Sequence, residues 1–192
     1  MNAAPSMSVA QAIRARHSVK QFSDTAVARE DIEELLELAV QAPNHRMTEP
    51  WHFIVAGDEA KRALARVLGR RKSSKVSDPE AARLVREKVE RNTLALPALV
   101  VLAIDQNENP EIREEDFAAA WMAVQNIVLA AVERGLGTHI KTGAVMDDPE
   151  LREAWRVPEG RRIIAMIELG APAVEPRVTE REPAASRTTW LD

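Results

Sequence analysis

The apolar positions of the chain change their period along its length, and those changes mark out its elements. Between residues 29 and 41, Ile32, Leu35, Leu36, Ala39 and Val40 recur at the three- and four-residue steps of one helical face. Glu30, Asp31 and Glu33 crowd the start of that run, where a helix favours negative charge, and Pro43 ends it. "WHFIVAG" (51–57) is aromatic and β-branched and closes on Gly57, which predicts a strand, and a helix over about 58–68 follows. "RRKSSKVSDP" (70–79) is polar and basic and reads as an irregular, solvated loop, after which Pro79 opens a helix to about Asn92. "PALVVLAID" (97–105) is a continuous apolar run, the pattern of a strand buried on both faces.

From Glu114 to Arg134 the chain predicts its longest helix, with Phe117, Trp121, Val124, Val128 and Ala131 at steps of four and three. Ala118, Ala119, Ala120, Ala123 and Ala130 cover much of its remaining surface, so neighbours can approach closely. It is expected to be central or to lie against a partner, with Trp121 and Trp155 as core residues. Gly135 and Gly137 close it and open a short strand in "THIKTG". A helix near 148–155 and the strand "RIIAMIELG" (162–170) complete the body, while residues 6–16 predict a short leading helix with Val9 and Ile13 on its apolar side. The tail carries Pro172, Pro176 and Pro183, few apolar residues and Trp190, so it is expected to drape over the body or a neighbour. Strands separated by helices without strict alternation indicate an α+β layered fold.

Composition narrows the function classes. A chain of 192 residues is expected to form one domain. Lys plus Arg number 26 against 30 Asp plus Glu, a net charge of −4, so the global field repels nucleic acid and any basic function must be local. There is no cysteine, which excludes thiolate chemistry and suits a reducing compartment. The opening residues lack a basic stretch followed by an apolar one, and no membrane-length apolar run occurs, so a cytoplasmic protein with no membrane partner is expected. His17, His45, His52 and His139 show no metal-ligand spacing, and no metal is expected. "GLGTHI" lacks the third glycine of a dinucleotide fingerprint and follows a helix.

"RHSVKQF" (16–22) is where local basic function concentrates. Arg16, His17 and Lys20 lie within five positions, with the Ser18 hydroxyl between them. An arginine fork, a rotatable hydroxyl and turn N–H groups suit a phosphate carrying two charges, each charge-assisted hydrogen bond contributing about 1.5–3 kcal/mol. A solvated run of mixed charge is the alternative reading of the stretch taken alone. "RRKSSK" (70–75) admits two further readings, a nucleic-acid patch or a clamp for the 2′-phosphate of NADPH, beside that of a solvated loop.

Four segments in order resemble the nitroreductase family of FMN-dependent oxidoreductases: "RHSVKQF", "APNHRMTEPWHFIV" (42–55), "GLGTHIKTG" (135–143), and Arg181 and Pro183 followed by Trp190 and Leu191. The Ala-Pro-Asn-His segment is most similar to the compact branch of the family. The resemblance implies a layered fold with a central mixed sheet flanked by helices and an extended C-terminal arm. It implies FMN as cofactor, NADH or NADPH as hydride donor, a small-molecule acceptor such as a nitroaromatic or quinone, and a homodimer with FMN at its interface. Carried across by position, it implies that Arg16 and Ser18 contact the FMN phosphate and ribityl end, with His17 lending its backbone. Lys20 reaches the pyrimidine edge, Gln41 and His45 line the flavin, Ile140, Lys141, Thr142 and Gly143 pass beside it, and Arg181 brings a second guanidinium to the phosphate. No acid/base residue is implied, because the redox chemistry belongs to the cofactor. Glu49 and Thr179 depart from the family pattern, the latter leaving the phosphate one cation short. A non-catalytic flavin-binding or sensing module, and a flavin-dependent dehydrogenase, remain alternatives on the same scaffold.

Overall fold

Three helices begin on one local signal, a short polar side chain followed by proline. The Asp78 carboxylate accepts the Ala81 N–H at 2.6 Å, Asn109 Oδ1 accepts from Glu111 at 3.0 Å, and Asp148 from Glu150 at 3.2 Å, each with proline in the first turn. Such caps satisfy N–H groups that a helix start otherwise leaves orphaned. Asn109 and Pro110 therefore start the long helix earlier than the apolar period predicts.

The computed structural model describes residues 7–175 and 179–191; the expected helix start at residue 6, and Pro176 of the arm, fall outside them. In chain order the elements are α1 (Val9–Ala15), α2 (Arg29–Ala39), β1 (Trp51–Val55), α3 (Asp58–Ser73), α4 (Pro79–Leu94), β2 (Ala98–Asp105), α5 (Pro110–Glu133), β3 (Gly137–Lys141), α6 (Pro149–Ala154) and β4 (Arg161–Gly170). Helix α3 runs further than expected, taking in Arg70, Arg71 and Lys72. Arginine and lysine are good helix formers, and their charges complement the negative end of the helix dipole.

The strands form one sheet in the order β1-β2-β4-β3 with every neighbouring pair antiparallel. The fold is α+β and layered as expected, but the named strands do not make the mixed sheet that the resemblance implied. Parallel pairing among the described residues is confined to an isolated bridge between Ser18 and Thr138. Strand β2 is buried through Ile104, as its apolar run predicts. Ala98, Val100, Leu102 and Ile104 face a core shared with α2 and α5, while Leu99, Val101 and Ala103 face one shared with α3 and α6. In β4 the neighbours Ile164 and Ala165 both belong to the α2/α5 side, because the register with β2 shifts between Leu102 and Ala103. Helix α5 is central on that side, burying Ala119, Ala120, Ala123, Val124, Ile127, Val128 and Ala131. Trp155 is buried as expected, while Trp121 is partly buried against the core.

The start of the chain is clasped between β3 and the segment after β4. Val19 N–H donates to the Thr138 carbonyl at 2.9 Å, Ser23 N–H to Ala171 at 2.8 Å, and Ala173 N–H to Gln21 at 3.0 Å. The side chain of Val19 is buried against Gly137, where an added Cβ would stand 2.4 Å from Val19 Cγ2 and 2.8 Å from its Cβ. Valine is β-branched and pinned by its own backbone bond, so it cannot swing away. Gly137→Ala is therefore expected to push the 16–20 stretch off β3 and destabilise the fold by about 1–3 kcal/mol. Urea melts of the two forms check this, and equal midpoints would show that the segment is not held as described.

Two apolar features are left uncovered among the described residues. Val9 and Ile13, the expected inner side of α1, are 72% and 54% exposed, and Trp190 and Leu191 of the arm are 86% and 92% exposed.

Candidate functional site

Backbone alternation builds the site. With Val19 turned into the core, Ser18 and Lys20 both face outward, since successive side chains of an extended segment point to opposite sides. Arg16 stands just before them as the C-cap of α1. A cavity of 670 Å³ opens on this face, lined by Arg16, His17, Ser18 and Lys20 from one side and by Val174, Glu175, Thr179 and Arg181 from the arm. Three cations meet one carboxylate there. Among the described residues, Arg16, Lys20 and Arg181 take part in no ion pair, unlike the neighbouring Lys141, whose Nζ lies 3.2 Å from Glu168 Oε1. The donor set is right for an anion carrying about two charges at neutral pH, such as a phosphate monoester.

Beside Lys20 lies a cluster that the sequence reading missed. His139 and Lys141 share one face of β3, and Glu168 sits opposite His139 in the register with β4, so one carboxylate reaches both, at 3.1 Å from His139 Nδ1 and 3.2 Å from Lys141 Nζ. Burial lowers the His139 pKa below its ordinary value; Glu168 opposes the shift, while the charges of Lys141 and Lys20 reinforce it. The signal was present as a histidine and a lysine two apart in a predicted strand, but their common partner required the register.

A base whose pKa falls on folding binds fewer protons folded than unfolded through the region around pH 6.5, so stability rises with pH there and is lost as pH falls through the folded-state pKa. The melting temperature is expected to drop between pH 7.5 and 5.5, and His139→Asn to flatten the profile. Parallel profiles for the two proteins would show that His139 is not held neutral by its surroundings.

The remaining candidates divide. Ile140 packs against the core shared by α2 and α5. Thr142 and Gly143 line a second cavity, with Leu68, Arg71, Lys72, Ser74, Lys75, Ala144 and Val145. Gln41 and His45 are not brought to the first cavity. They belong to the segment leading into β1, the sheet edge opposite β3, three strand spacings or roughly 14 Å away.

That segment is shaped by contacts that its local sequence pattern does not reveal. Arg46, Met47 and Glu49 all have positive φ (66°, 51° and 44°), a conformation unfavourable for residues other than glycine. Side chains hold it there: Asn44 Oδ1 accepts the Glu49 N–H at 2.7 Å, Thr48 donates to the buried Asp116, and Glu115 lies 2.9 Å from His45 Nδ1 and 3.3 Å from Arg46 Nε. Hydrogen bonding to His45 holds the Glu115 carboxyl below its usual range, with Arg46 adding to the effect. Met47, 72% exposed, is presented outward on this braced turn.

The chain is similar to known proteins over most of its length. The family described as "Nitroreductase family" matches residues 13–171. A Bacillus subtilis (strain 168) protein named "Putative NAD(P)H nitroreductase YfhC" is 35% identical over 183 residues, covering 93% of this chain and 92% of its own. The crystal structure of a nitroreductase-like family protein from Bacillus cereus superposes with a TM-score of 0.85 at 29% identity, over 100% of this chain and 99% of that one. A nitroreductase from Sphigopyxis sp. strain HMH, described as FMN- and NADPH-dependent, shares the fold, with a TM-score of 0.75 at 18% identity over 96% of this chain and 99% of that one.

Proposed function

The chain belongs to the nitroreductase family, and from that premise we propose that it moves electrons from NADH or NADPH through FMN to a small nitroaromatic or quinone acceptor. It is an enzyme, an NAD(P)H-dependent flavin oxidoreductase. The observation that carries the reading is the cavity in which Arg16, Ser18, Lys20 and Arg181 converge although Arg181 lies more than 160 positions from the others. When bound, FMN supplies the chemistry, accepting a hydride from the nicotinamide and delivering two electrons to the acceptor.

The chain's own residues supply binding and electrostatics. Arg16, Ser18 and Arg181 hold the phosphate, with Thr179 on the same wall in place of a further cation. Lys20 sets a positive charge beside the pyrimidine edge, and Glu168 keeps Lys141 and His139 in place on β3. Gln41 and His45 do not line this cavity in their own chain, so we assign them to the second protomer of a homodimer. The unpartnered apolar side chains of α1 and the arm fit that assembly, since both need a surface to bury against. The lack of cysteine fits a reducing cytoplasm. Among the described residues no helix is long and apolar enough to cross a membrane, and no cluster of metal-ligating side chains occurs.

Anaerobic rapid mixing tests the reading. The FMN-loaded protein is expected to lose its yellow absorbance on mixing with NADH or NADPH and to regain it on adding a nitroaromatic or quinone. A flavin that stays oxidised with both donors would mark the chain as a binder without the activity.

A further inference from the structure

The basic end of α3 is not the solvated loop that its composition predicts. Along this helix Arg62 pairs with Glu59 and Glu90, Arg66 with Glu150, and Arg70 with Asp148 and Glu150. The next cations, Arg71, Lys72 and Lys75, take part in no ion pair among the described residues, and all three line one cavity of 660 Å³. The negative end of a helix offsets at most about half a charge, which leaves roughly 2.5 positive charges uncompensated. Ser74 adds a hydroxyl, and Thr142 and Gly143 line the same cavity.

Thr142 and Gly143 directly follow Lys141, so this cavity begins where the flavin-side strand ends. At about 3.3 Å per extended residue the two sites are neighbours, within the span of one dinucleotide. We propose that Arg71, Lys72 and Lys75 form a clamp for the 2′-phosphate of NADPH, making this oxidoreductase selective for NADPH over NADH; the inference rests on the function proposed above. A 2′-phosphate carries about −1.5 to −2 charges at neutral pH, which suits the uncompensated positive charge of the clamp. NADH has only a hydroxyl at that place and gains nothing from it.

The test compares isomers of equal composition. Calorimetry on the protein as purified is expected to show 2′,5′-ADP binding at least about tenfold tighter than 5′-ADP, in a salt-dependent manner. Arg71→Glu with Lys75→Glu abolishes that preference, and the NADPH-to-NADH ratio of kcat/KM falls by at least about tenfold. Arg71→Gln with Lys75→Gln gives a smaller fall in the same direction, which separates charge from folding. Equal binding of the two isomers, or an unchanged ratio in both double variants, overturns the clamp. If neither nicotinamide reduces the flavin, the oxidoreductase reading fails while the isomer comparison still decides the clamp.

Discussion

Replacing Arg16 by alanine is expected to weaken FMN by about 10- to 140-fold, the effect of losing charge-assisted hydrogen bonds of roughly 1.5–3 kcal/mol, while riboflavin changes by about twofold or less. The discrimination follows from placement. Arg16 stands at the end of α1 and faces the same cavity as Ser18 and Arg181, and no carboxylate among the described residues pairs with it. Riboflavin has the rings and ribityl chain but no phosphate, so it has nothing to lose at this position. Fluorescence titration of both ligands against both proteins checks it. Equal weakening of FMN and riboflavin would mean that Arg16 supports the shape of the cavity rather than the phosphate.

Lys20→Met is expected to lower the two-electron potential of the bound flavin by about 40 to 90 mV. A unit charge near 4 Å at an effective dielectric of 20 contributes up to about 4 kcal/mol, halved here for an exposed side chain at the lower bound, and 30 mV corresponds to about 1.4 kcal/mol. The sign is fixed by chemistry: reduction adds negative charge to the flavin, so removing a neighbouring cation disfavours it. Lys141 remains after the substitution, held by Glu168 and therefore less able to compensate. Methionine keeps the apolar stem, so a potential unchanged at full flavin occupancy would place the pyrimidine edge elsewhere.

Much of this arrangement was legible in the sequence, and the limits have physical causes. Periodicity located the helices and strands because one face of each is buried, as in α2, β2 and α5. It did not see helix ends set by capping: Asn109 with Pro110 begins α5 ahead of its apolar stripe, and the dipole-complementing basic residues prolong α3 past the expected break. Strand direction is a property of pairs rather than of strands, so the antiparallel order was beyond reach. The cationic stretch and the distant Arg181 were connected only by family resemblance, since no local rule joins positions so far apart. Glu168 illustrates the other gap, for its importance comes from facing His139 across two strands. Gln41 and His45 show that residues named together by one resemblance can fall at opposite edges of the sheet, since strand order is not written in any local pattern.

The proposed cradle for a flavin mononucleotide is made by Arg16, Ser18, Lys20 and Arg181 together. Flavin-free protein titrated with FMN under native conditions tests it most directly, by the quenching of flavin fluorescence and the appearance of a protein-bound visible spectrum. Tight, saturable uptake of FMN is expected, with riboflavin bound far more weakly. Protein that stays colourless after equilibration with excess FMN would contradict it.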